Sequence, residues 1–516
     1  MAMFTGLASH IQAEPGRKPT DQEREAARFR QRRLIFNNDG CDIFHPRTPI
    51  ISTKAEFLAR RTTPLLGSHV DMIAYCTTAG TFGSFWHRTK VAQMAVQKRG
   101  ALEFNRFEEF LKQGTDPLQM TIEFCRENSK EVLWSLRMND THDADKNYGP
   151  DFIADFKKEN PRYLLSTTDR RPARGQWSAM DYGRSEVRDF VYACIAEVIG
   201  NYDVDGVQLD FWRHPIFFKR SSEGRPLEQT DLDAMTSLVR RVRAKLDEEG
   251  TKRGRYLLLS IRTPDSLEYS RAIGLDVERW MSEGLVDLYM PGSGYFQITS
   301  WKESVMLGRR YGVPVYASLS DARNANKDVT RERNAIESLR ARALDAWSAG
   351  VDGIEMFNFF QPRHPLWREL GSAEVLRPLS KRYYVRVVGA RNYLDGRSWG
   401  TSPRPYLKIG TLMPDNPETL KTGETRAYEL HVGDDLSASP ALEARLHIRT
   451  NPESKSKAPS VRWNGLDLEL EEGGAGVFEA KVESAAVTPA THVVEVTATG
   501  PIELTDIVLS LAPASP

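Results

Sequence analysis

Short apolar runs alternate with longer amphipathic stretches from about residue 33 to residue 360. Short apolar runs bounded by turn residues are typical of buried strands, and the stretches between them have helical spacing. Repetition of this pair predicts βα units with a parallel sheet. The eight predicted strands are residues 33–36, 70–75, 131–136, 204–209, 256–261, 286–290, 314–317 and 353–357.

Helical periodicity is clear in two of the gaps, residues 185–199 and 231–249. Eight βα units over about 345 residues match an α/β fold of the (β/α)8 TIM-barrel type with insertions. The sequence has no internal repeat of about 20–50 residues, which disfavours a solenoid or a propeller.

The pattern changes after about residue 376, where alternating strands separated by Gly, Asp, Asn and Pro turns replace helical periodicity. This pattern predicts an antiparallel β-sandwich. The predicted strands are residues 383–388, 426–432, 444–449, 477–482, 492–498 and 503–511. We therefore predict an N-terminal arm with a short helix (1–30), a catalytic barrel (31–376) and a β-sandwich accessory domain (377–516).

Charge and motif content exclude several classes of function. The chain has 70 Lys plus Arg and 70 Asp plus Glu, so its zero net charge gives no support for a nucleic-acid or membrane-surface partner. No run reaches the ~18 apolar residues of a membrane span. The four cysteines form no CxxC pair, and P-loop, GxSxG and HExxH motifs are missing. We predict no cofactor.

The N-terminus lacks a charged region followed by a long apolar region. The sequence thus leaves the localisation open between cytoplasmic and, after removal of a signal peptide, secreted or periplasmic. It also leaves the oligomeric state open.

Active sites of TIM barrels lie at the C-terminal ends of the strands. In YDVDGVQLDFWR, Asp210 directly follows the last apolar residue of the fourth strand. A carboxylate there is expected to face the barrel mouth, and Asp210 is our first choice as a catalytic residue. The alternative is a solvated loop carboxylate or an ion pair with Arg213.

The other strand ends combine amides, charged groups and aromatic rings. Sugars present apolar C–H faces ringed by hydroxyl groups, so this mixture favours a carbohydrate site. The predicted substrate-binding residues are Asn38, Asp39, Trp86, Asn139, His142, Trp212, Arg213, Arg262, Tyr295, Asp321 and Asn358. Cleavage of a glycoside needs two carboxyl groups, about 5 Å apart for retention and about 6.5–9.5 Å apart for inversion.

The second carboxylate has three candidates. Glu355 lies within the eighth strand, where strand alternation can direct it into the barrel; its alternative role is structural pairing with an arginine such as Arg262. Asp140 follows the third strand, and it can act as the partner or bind a sugar hydroxyl. Asp321 follows the seventh strand, with helix N-capping as its alternative.

The run NDTHDAD (Asn139 to Asp145) raises the question of a metal site. It lacks the glycine and the final glutamate of a calcium-binding loop. We therefore predict no metal, and assign His142 to substrate contact or local hydrogen bonding.

The residues before and within the fourth strand also resemble a known family. They read MDYGRSEVRDFVYACIAEVI (Met180 to Ile199) and YDVDGVQLDFWR (Tyr202 to Arg213). Both are similar to the corresponding region of glycosyl hydrolase-like (β/α)8 barrels, which include bacterial enzymes that cleave peptidoglycan-derived or poly-N-acetylglucosamine chains and are distant relatives of α-amylase-type barrels. The resemblance implies a glycosidase in which Asp210 is a catalytic carboxylate. Phe211 and Trp212 stand where the family often has Asp and Tyr.

Three functions follow from these observations. The first is a glycoside hydrolase that uses Asp210 with Glu355 or Asp140 on a polysaccharide or oligosaccharide. The second is a catalytically inactive carbohydrate-binding barrel, and the third is a barrel lyase or metal-dependent hydrolase with a non-sugar substrate. The linkage, the anomeric outcome and the role of the β-sandwich are not determined by the sequence.

Overall fold

A computed structural model describes residues 16–44, 51–145, 152–292, 297–388, 400–437, 442–454 and 457–513. Eight parallel strands form its first sheet, in the spatial order β6-β5-β4-β3-β2-β1-β8-β7. They are β1 (Leu34–Asn38), β2 (Val70–Cys76), β3 (Glu131–Arg137), β4 (Gly206–Asp210), β5 (Leu258–Thr263), β6 (Leu288–Pro291), β7 (Tyr316–Ser320) and β8 (Gly353–Phe357). Parallel bridges from Tyr289 to Val315 and from Gly292 to Ser318 join β6 to β7 and close the barrel.

The barrel confirms the predicted fold class, but most strands extend further toward their C-terminal ends than the apolar runs suggest. Arg137, Asp210 and Arg262 lie side by side in the register of β3, β4 and β5. Their side chains are buried and bond to one another or to other buried polar groups. The chain therefore stays in the sheet at these polar residues instead of turning into solvent.

Helices surround this sheet. They are α1 (Asp21–Arg28), α2 (Lys54–Arg61), α3 (Phe107–Lys112), α4 (Pro117–Glu127), α5 (Asp155–Glu159), α6 (Ser185–Asn201), α7 (Lys219–Ser222), α8 (Gln229–Arg253), α9 (Leu267–Ala272), α10 (Val277–Ser282), α11 (Trp301–Tyr311), α12 (Lys327–Arg333), α13 (Ile336–Ala349) and α14 (Ala373–Leu376). Helix α1 begins with a capping box between Thr20 and Glu23. Among the described residues, no helix is long and apolar enough to cross a membrane.

The N-terminal face of the barrel is held by buried ion pairs. Arg32, fully buried, lies 2.6 Å from Glu131, and Arg243 lies 2.7 Å from Asp287. Arg24 and Arg28 of the predicted N-terminal arm also contact Asp287. TIM-barrel active sites lie at the opposite face, so we assign these ion pairs a structural role.

Two short strands, Ser84–Phe85 and Gln93–Met94, pair in parallel after β2. The strands after residue 380 form two antiparallel sheets, as predicted. The strands are β9 (Lys381–Tyr384), β10 (Glu418–Leu420), β11 (Thr425–Val432), β12 (Leu442–Thr450), β13 (Ser460–Trp463), β14 (Leu466–Leu468), β15 (Glu471–Gly474), β16 (Val477–Val482), β17 (Ala490–Thr497) and β18 (Ile502–Pro513). One sheet has the order β9-β18-β12-β16-β15 with β10 beside β18, and the other has the order β11-β17-β13-β14.

Apolar side chains between the two sheets form a separate core. Trp463 belongs to this core. It is 1% exposed, stacks on His492, and donates its indole N–H to the Ala486 carbonyl oxygen. Trp463 therefore packs inside the sandwich and offers no surface for a sugar.

The barrel and the sandwich are joined through α12 and α13. Arg333 and Asp506, both fully buried, form an ion pair of 2.7 Å, and Glu332 pairs with Arg449 at 2.8 Å. Helix α13 also packs along β9. The division at residues 30 and 376 into separately folding domains remains a prediction.

Candidate functional site

One arginine bridges two carboxylates inside the barrel mouth, the space at the C-terminal ends of the barrel strands. Arg262 Nη1 donates to Asp210 Oδ1 at 3.0 Å, and Arg262 Nε donates to Glu355 Oε2 at 3.1 Å. The arginine carbon Cζ lies 3.7 Å from the centre of the Phe357 ring. All three ionic side chains are buried. Their charges thus compensate one another away from water, as buried charges require.

Both oxygens of Glu355 are engaged. Besides the bond from Arg262 to Oε2, Oε1 accepts from Gln208 Nε2 at 2.7 Å and from Asn37 Nδ2 at 3.1 Å. Gln208 in turn accepts from Ser135 and from Asn37. Glu355 is therefore anchored to three other strands, β1, β4 and β5, at the centre of the barrel. Its pairing with Arg262 matches the structural alternative that the sequence left open.

Asp210 is held by one oxygen only. Its Oδ1 accepts from Arg262 Nη1 and from the backbone N–H groups of Trp212 and Arg213, at 3.0 and 3.2 Å. Its Oδ2 accepts no hydrogen bond from any residue that the structure describes. The carboxylate is thus fixed in orientation through Oδ1 alone.

A second ionic cluster lies beside this pair. Asp140 Oδ1 accepts from His142 Nδ1 at 2.6 Å, and Asp140 Oδ2 accepts from Arg137 at 3.1 Å. Asp39 accepts from Arg61 at 2.6 Å and lies 4.0 Å from Arg137. Arg137 therefore connects the carboxylates that follow β1 and β3.

The hydrogen bond from His142 and the charge of Arg137 dominate the electrostatics of this cluster. Burial raises the pKa of Asp140, but His142 and Arg137 outweigh it and hold that pKa well below its usual range. Burial also lowers the pKa of His142 and of His214. Asp140 is therefore ionised and both imidazoles are neutral near pH 7.

Asp140, His142 and His214 place ligand-type atoms within 4.8 Å of one another. However, Arg137 donates to Asp140, and Arg213 Nη2 lies 2.7 Å from His142 Nε2. A divalent cation at this point would face two guanidinium groups. The charge of the surroundings thus favours hydrogen bonding over metal coordination.

We expect the carboxylate of Asp39 to make the free energy of unfolding depend on pH in the acid range. Burial raises its pKa, but Arg61 and Arg137 lower it more strongly, to about 2. A carboxylate with a depressed pKa stabilises the fold above its unfolded pKa of about 4, and this stabilisation is lost as the pH falls from about 4 to about 2. The contribution is ~2 kcal/mol. In urea titrations at pH 5 and pH 2, wild type should lose ~2 kcal/mol more free energy of unfolding than Asp39→Asn. Parallel pH dependence of the two proteins would contradict this prediction.

Asp321 lies at the rim, just after β7. Its side chain is half-buried and makes no hydrogen bond within the described part of the chain. Burial raises its pKa, while Arg323 and Arg342 oppose the shift. Helix α12 is capped by Asn326, so Asp321 does not serve as the N-cap of that helix.

The other predicted substrate-binding residues differ in position. Asn139 bonds to the backbone of Met180 and Ile216, and Asn38 to Asp42 and Arg61; both therefore hold loops. Trp86 and Trp212 are each 2% exposed and pack among aromatic rings. Tyr295 lies outside the described residues.

Two residues beside the mouth adopt left-handed backbone conformations that are uncommon outside glycine. Asn358 has φ 55° and His214 has φ 59°. Such conformations cluster at functional sites, where the surrounding structure maintains them. Asn358 directly follows β8, and its Oδ1 has no hydrogen-bond partner among the described residues.

Four polar residues of the mouth were not among our predictions. They are Arg61, Arg137, Gln208 and His214. Arg137 and Gln208 carry a signal, because each is polar at or near the end of a predicted apolar strand. Arg61 carries none, since it lies at the end of α2 and reaches Asp39 only through the tertiary fold.

Residues 88–227 match the family described as glycosyl hydrolase-like 10. The matched segment includes β3, β4 and Asp210. For this part of the chain, the match confirms the resemblance to glycosyl hydrolase-like barrels.

Solved structures were found at low identity. The glycoside hydrolase domain of PgaB (BpsB) from Bordetella bronchiseptica is 10% identical, with a TM-score of 0.41, over 66% of this chain and 98% of that domain. The cycloisomaltooligosaccharide glucanotransferase of a Paenibacillus species is 11% identical, with a TM-score of 0.36, over 93% of this chain. The chain spans 57% of the length of that enzyme. An α-L-fucosidase from Paenibacillus thiaminolyticus is 12% identical, with a TM-score of 0.40, over 67% of this chain and 49% of that enzyme. None of the curated proteins matches this sequence.

Proposed function

We propose that this chain is a glycoside hydrolase that cleaves a polysaccharide or oligosaccharide at the barrel mouth, with Asp210 as the nucleophile or base. The observation that carries the proposal is the one-sided anchoring of Asp210. Three donors orient Oδ1, and Oδ2 accepts none from the described residues. A group that must attack a sugar carbon or activate a water needs this combination of fixed geometry and one free oxygen.

Asp321 is the best candidate for the general acid. A general acid must be protonated near the working pH. Asp321 suits this role because it is half-buried and burial raises its pKa. Glu355 and Asp140 fit less well, because both oxygens of each already accept hydrogen bonds. Their proposed role is to orient Arg262 and His142.

The polar groups around these two acids suit a sugar substrate. Arg213 and Asp39 are buried at the mouth and His142 is half-buried, so guanidinium, carboxylate and imidazole groups, the types that bind sugar hydroxyls, collect there. A deep apolar pocket would be expected for a lipid or an aromatic substrate instead.

Asp321→Asn is expected to lower kcat on polysaccharides by about 10²- to 10³-fold, because departure of a sugar hydroxyl needs a proton. The kcat on aryl glycosides with acidic leaving groups should fall much less, since those groups depart without protonation. In the wild type the rate should fall as the pH rises through the pKa of Asp321, and the variant should lack this limb. Steady-state kinetics from pH 4 to pH 8 measure both effects.

Asp328→Asn is the matched control for this experiment. Asp328 is an exposed aspartate seven positions along the chain, on α12, paired only with the exposed Arg331. It should leave rates and pH profile unchanged. An equal loss on aryl glycosides and polysaccharides in Asp321→Asn would contradict the assignment of a general acid.

The activity itself is tested by measuring release of reducing ends from a panel of polysaccharides, including poly-N-acetylglucosamine and peptidoglycan glycans. Release by the wild type supports a hydrolase. Binding to a glycan without release of ends would instead favour the carbohydrate-binding barrel that the sequence left as an alternative.

A further inference from the structure

A cavity lies between the barrel and the sandwich, next to the C-terminal end of β7. We call it the seam cavity. It is lined by Gln297, Trp301, Ala341, Arg342, Asp345, Arg382, Tyr383, Tyr384, Val385, Arg386, Val387, Val388, Ile409 and His431. These residues come from the loop after β6 and the start of α11, from α13, from β9 and the segment after it, from the segment before β10, and from the end of β11.

Three of the lining residues are arginines, and none of them forms an ion pair within the described part of the chain. Arg386 is 2% exposed, while Arg342 and Arg382 are half-buried. Asp265 and Asp321 attract Arg386 and Arg342 electrostatically, yet both acids remain beyond ion-pair distance. The seam cavity is therefore rich in uncompensated positive charge.

Most N–H donors of these arginines have no acceptor among the residues that the structure describes. Arg342 donates through Nη1 to the Ser320 carbonyl oxygen at 2.8 Å. Arg386 donates to the carbonyl oxygens of Gly410 and Gln297, and its buried Nε has no partner among the described residues. Carbonyl oxygens satisfy donors but do not neutralise a guanidinium charge.

Among the described lining residues one side chain is acidic, Asp345, and it forms no ion pair with any of the three arginines. Asp345 has its pKa raised by burial, with His431 as the opposing influence. Burial lowers the pKa of both Arg342 and Arg386 to about 10, so both remain charged near pH 7. Buried guanidinium groups without a counter-charge are unfavourable, and an anion in the seam cavity would remove that penalty.

We propose that the seam cavity is a binding site for a small oxyanion, a carboxylate, sulfate or phosphate group, held by Arg342, Arg382 and Arg386. Planar guanidinium groups match these anions through paired N–H donors. The space of about 50 Å³ accommodates a few water molecules or one such group. The site is independent of the proposed hydrolase activity, although Arg342 also bonds to the residue before Asp321.

The test is a thermal-unfolding titration of the full chain with sodium phosphate, sulfate and acetate, each at constant ionic strength set by sodium chloride. A specific site gives a saturable rise in Tm, whereas general salt effects continue to grow with concentration. Wild type is expected to saturate with at least one of the three anions. Chloride at matched ionic strength should not reproduce the effect.

Two variants locate the site. Arg382→Gln and Arg342→Gln should each raise the apparent Kd for the oxyanion at least tenfold. Arg462→Gln, on β13 in the other sheet, removes the same charge from an exposed pair with Glu495 and should bind as the wild type does. Circular dichroism without added anion confirms that each variant is folded.

Two outcomes would overturn the proposal. One is a wild type whose Tm never saturates with any oxyanion, and the other is a folded Arg382→Gln that binds as tightly as Arg462→Gln. Because the readout is binding, neither depends on turnover of a glycan. Failure of the proposed hydrolase activity would thus leave this result interpretable.

Discussion

Replacing Asp210 by asparagine is expected to lower kcat/KM on the cleaved polysaccharide on the order of 10⁴-fold. Asparagine keeps an acceptor oxygen for Arg262 Nη1 and for the backbone N–H groups of Trp212 and Arg213. It removes the negative charge and the free carboxylate oxygen that the proposed reaction needs. The fold should therefore persist while catalysis is lost, and binding of the glycan should be retained.

Release of reducing ends and a glycan-binding isotherm measure the two effects separately. Asp203→Asn is the matched control, because Asp203 lies in the same segment but is 58% exposed and paired with Arg126. Its activity should match that of the wild type. If Asp210→Asn keeps more than a tenth of the wild-type rate, Asp210 is not the reacting carboxylate.

Arg262→Met is expected to cause the largest loss of stability, about 3–5 kcal/mol, because it leaves two buried carboxylates without their common cation. Arg262, Asp210 and Glu355 are each at most 1% exposed, so solvent cannot replace the guanidinium. Urea unfolding at pH 7 gives the free energy of unfolding directly.

The double variant Arg262→Met/Glu355→Gln tests the cause. It removes one of the two orphaned charges while keeping an amide for the bonds from Gln208 and Asn37. We expect it to be more stable than Arg262→Met alone, with a coupling energy of about 1–3 kcal/mol. Additive losses would show that Arg262 stabilises the barrel through packing on Phe357 and not through the carboxylates.

Local patterns predicted much of this architecture because they reflect local physics. A buried parallel strand must be apolar along its length, and a covering helix must be amphipathic, so the eight βα units can be identified in the sequence. The sandwich strands alternate for a related reason. The edge strands and short strands β10, β13, β14 and β15 were not predicted, because they bury too few side chains to impose a pattern.

The site was predicted less completely than the fold. The rule that strands end at the mouth placed Asp210, Arg262, Glu355 and Asp140 in one region of the molecule. It said nothing about which atoms meet. Arg262 joins Asp210 to Glu355 because the barrel brings β4, β5 and β8 together. These residues are up to 145 positions apart in the sequence.

The sequence by itself therefore determined the type and order of the elements and the face on which polar groups collect, since both depend on residues close together along the chain. Only the tertiary structure decided which acids are paired and which oxygen is free. It also revealed three arginines between the barrel and the sandwich that form no ion pair with any described residue. Hydrogen bonds and burial depend on segments that are distant in the sequence. The same aspartate can therefore be a buried ion-pair partner or a reactive carboxylate, depending on which side chains the closed barrel places beside it. Asp210 and Glu355 share Arg262, but the second oxygen of Asp210 has no donor among the described residues, whereas both oxygens of Glu355 accept hydrogen bonds.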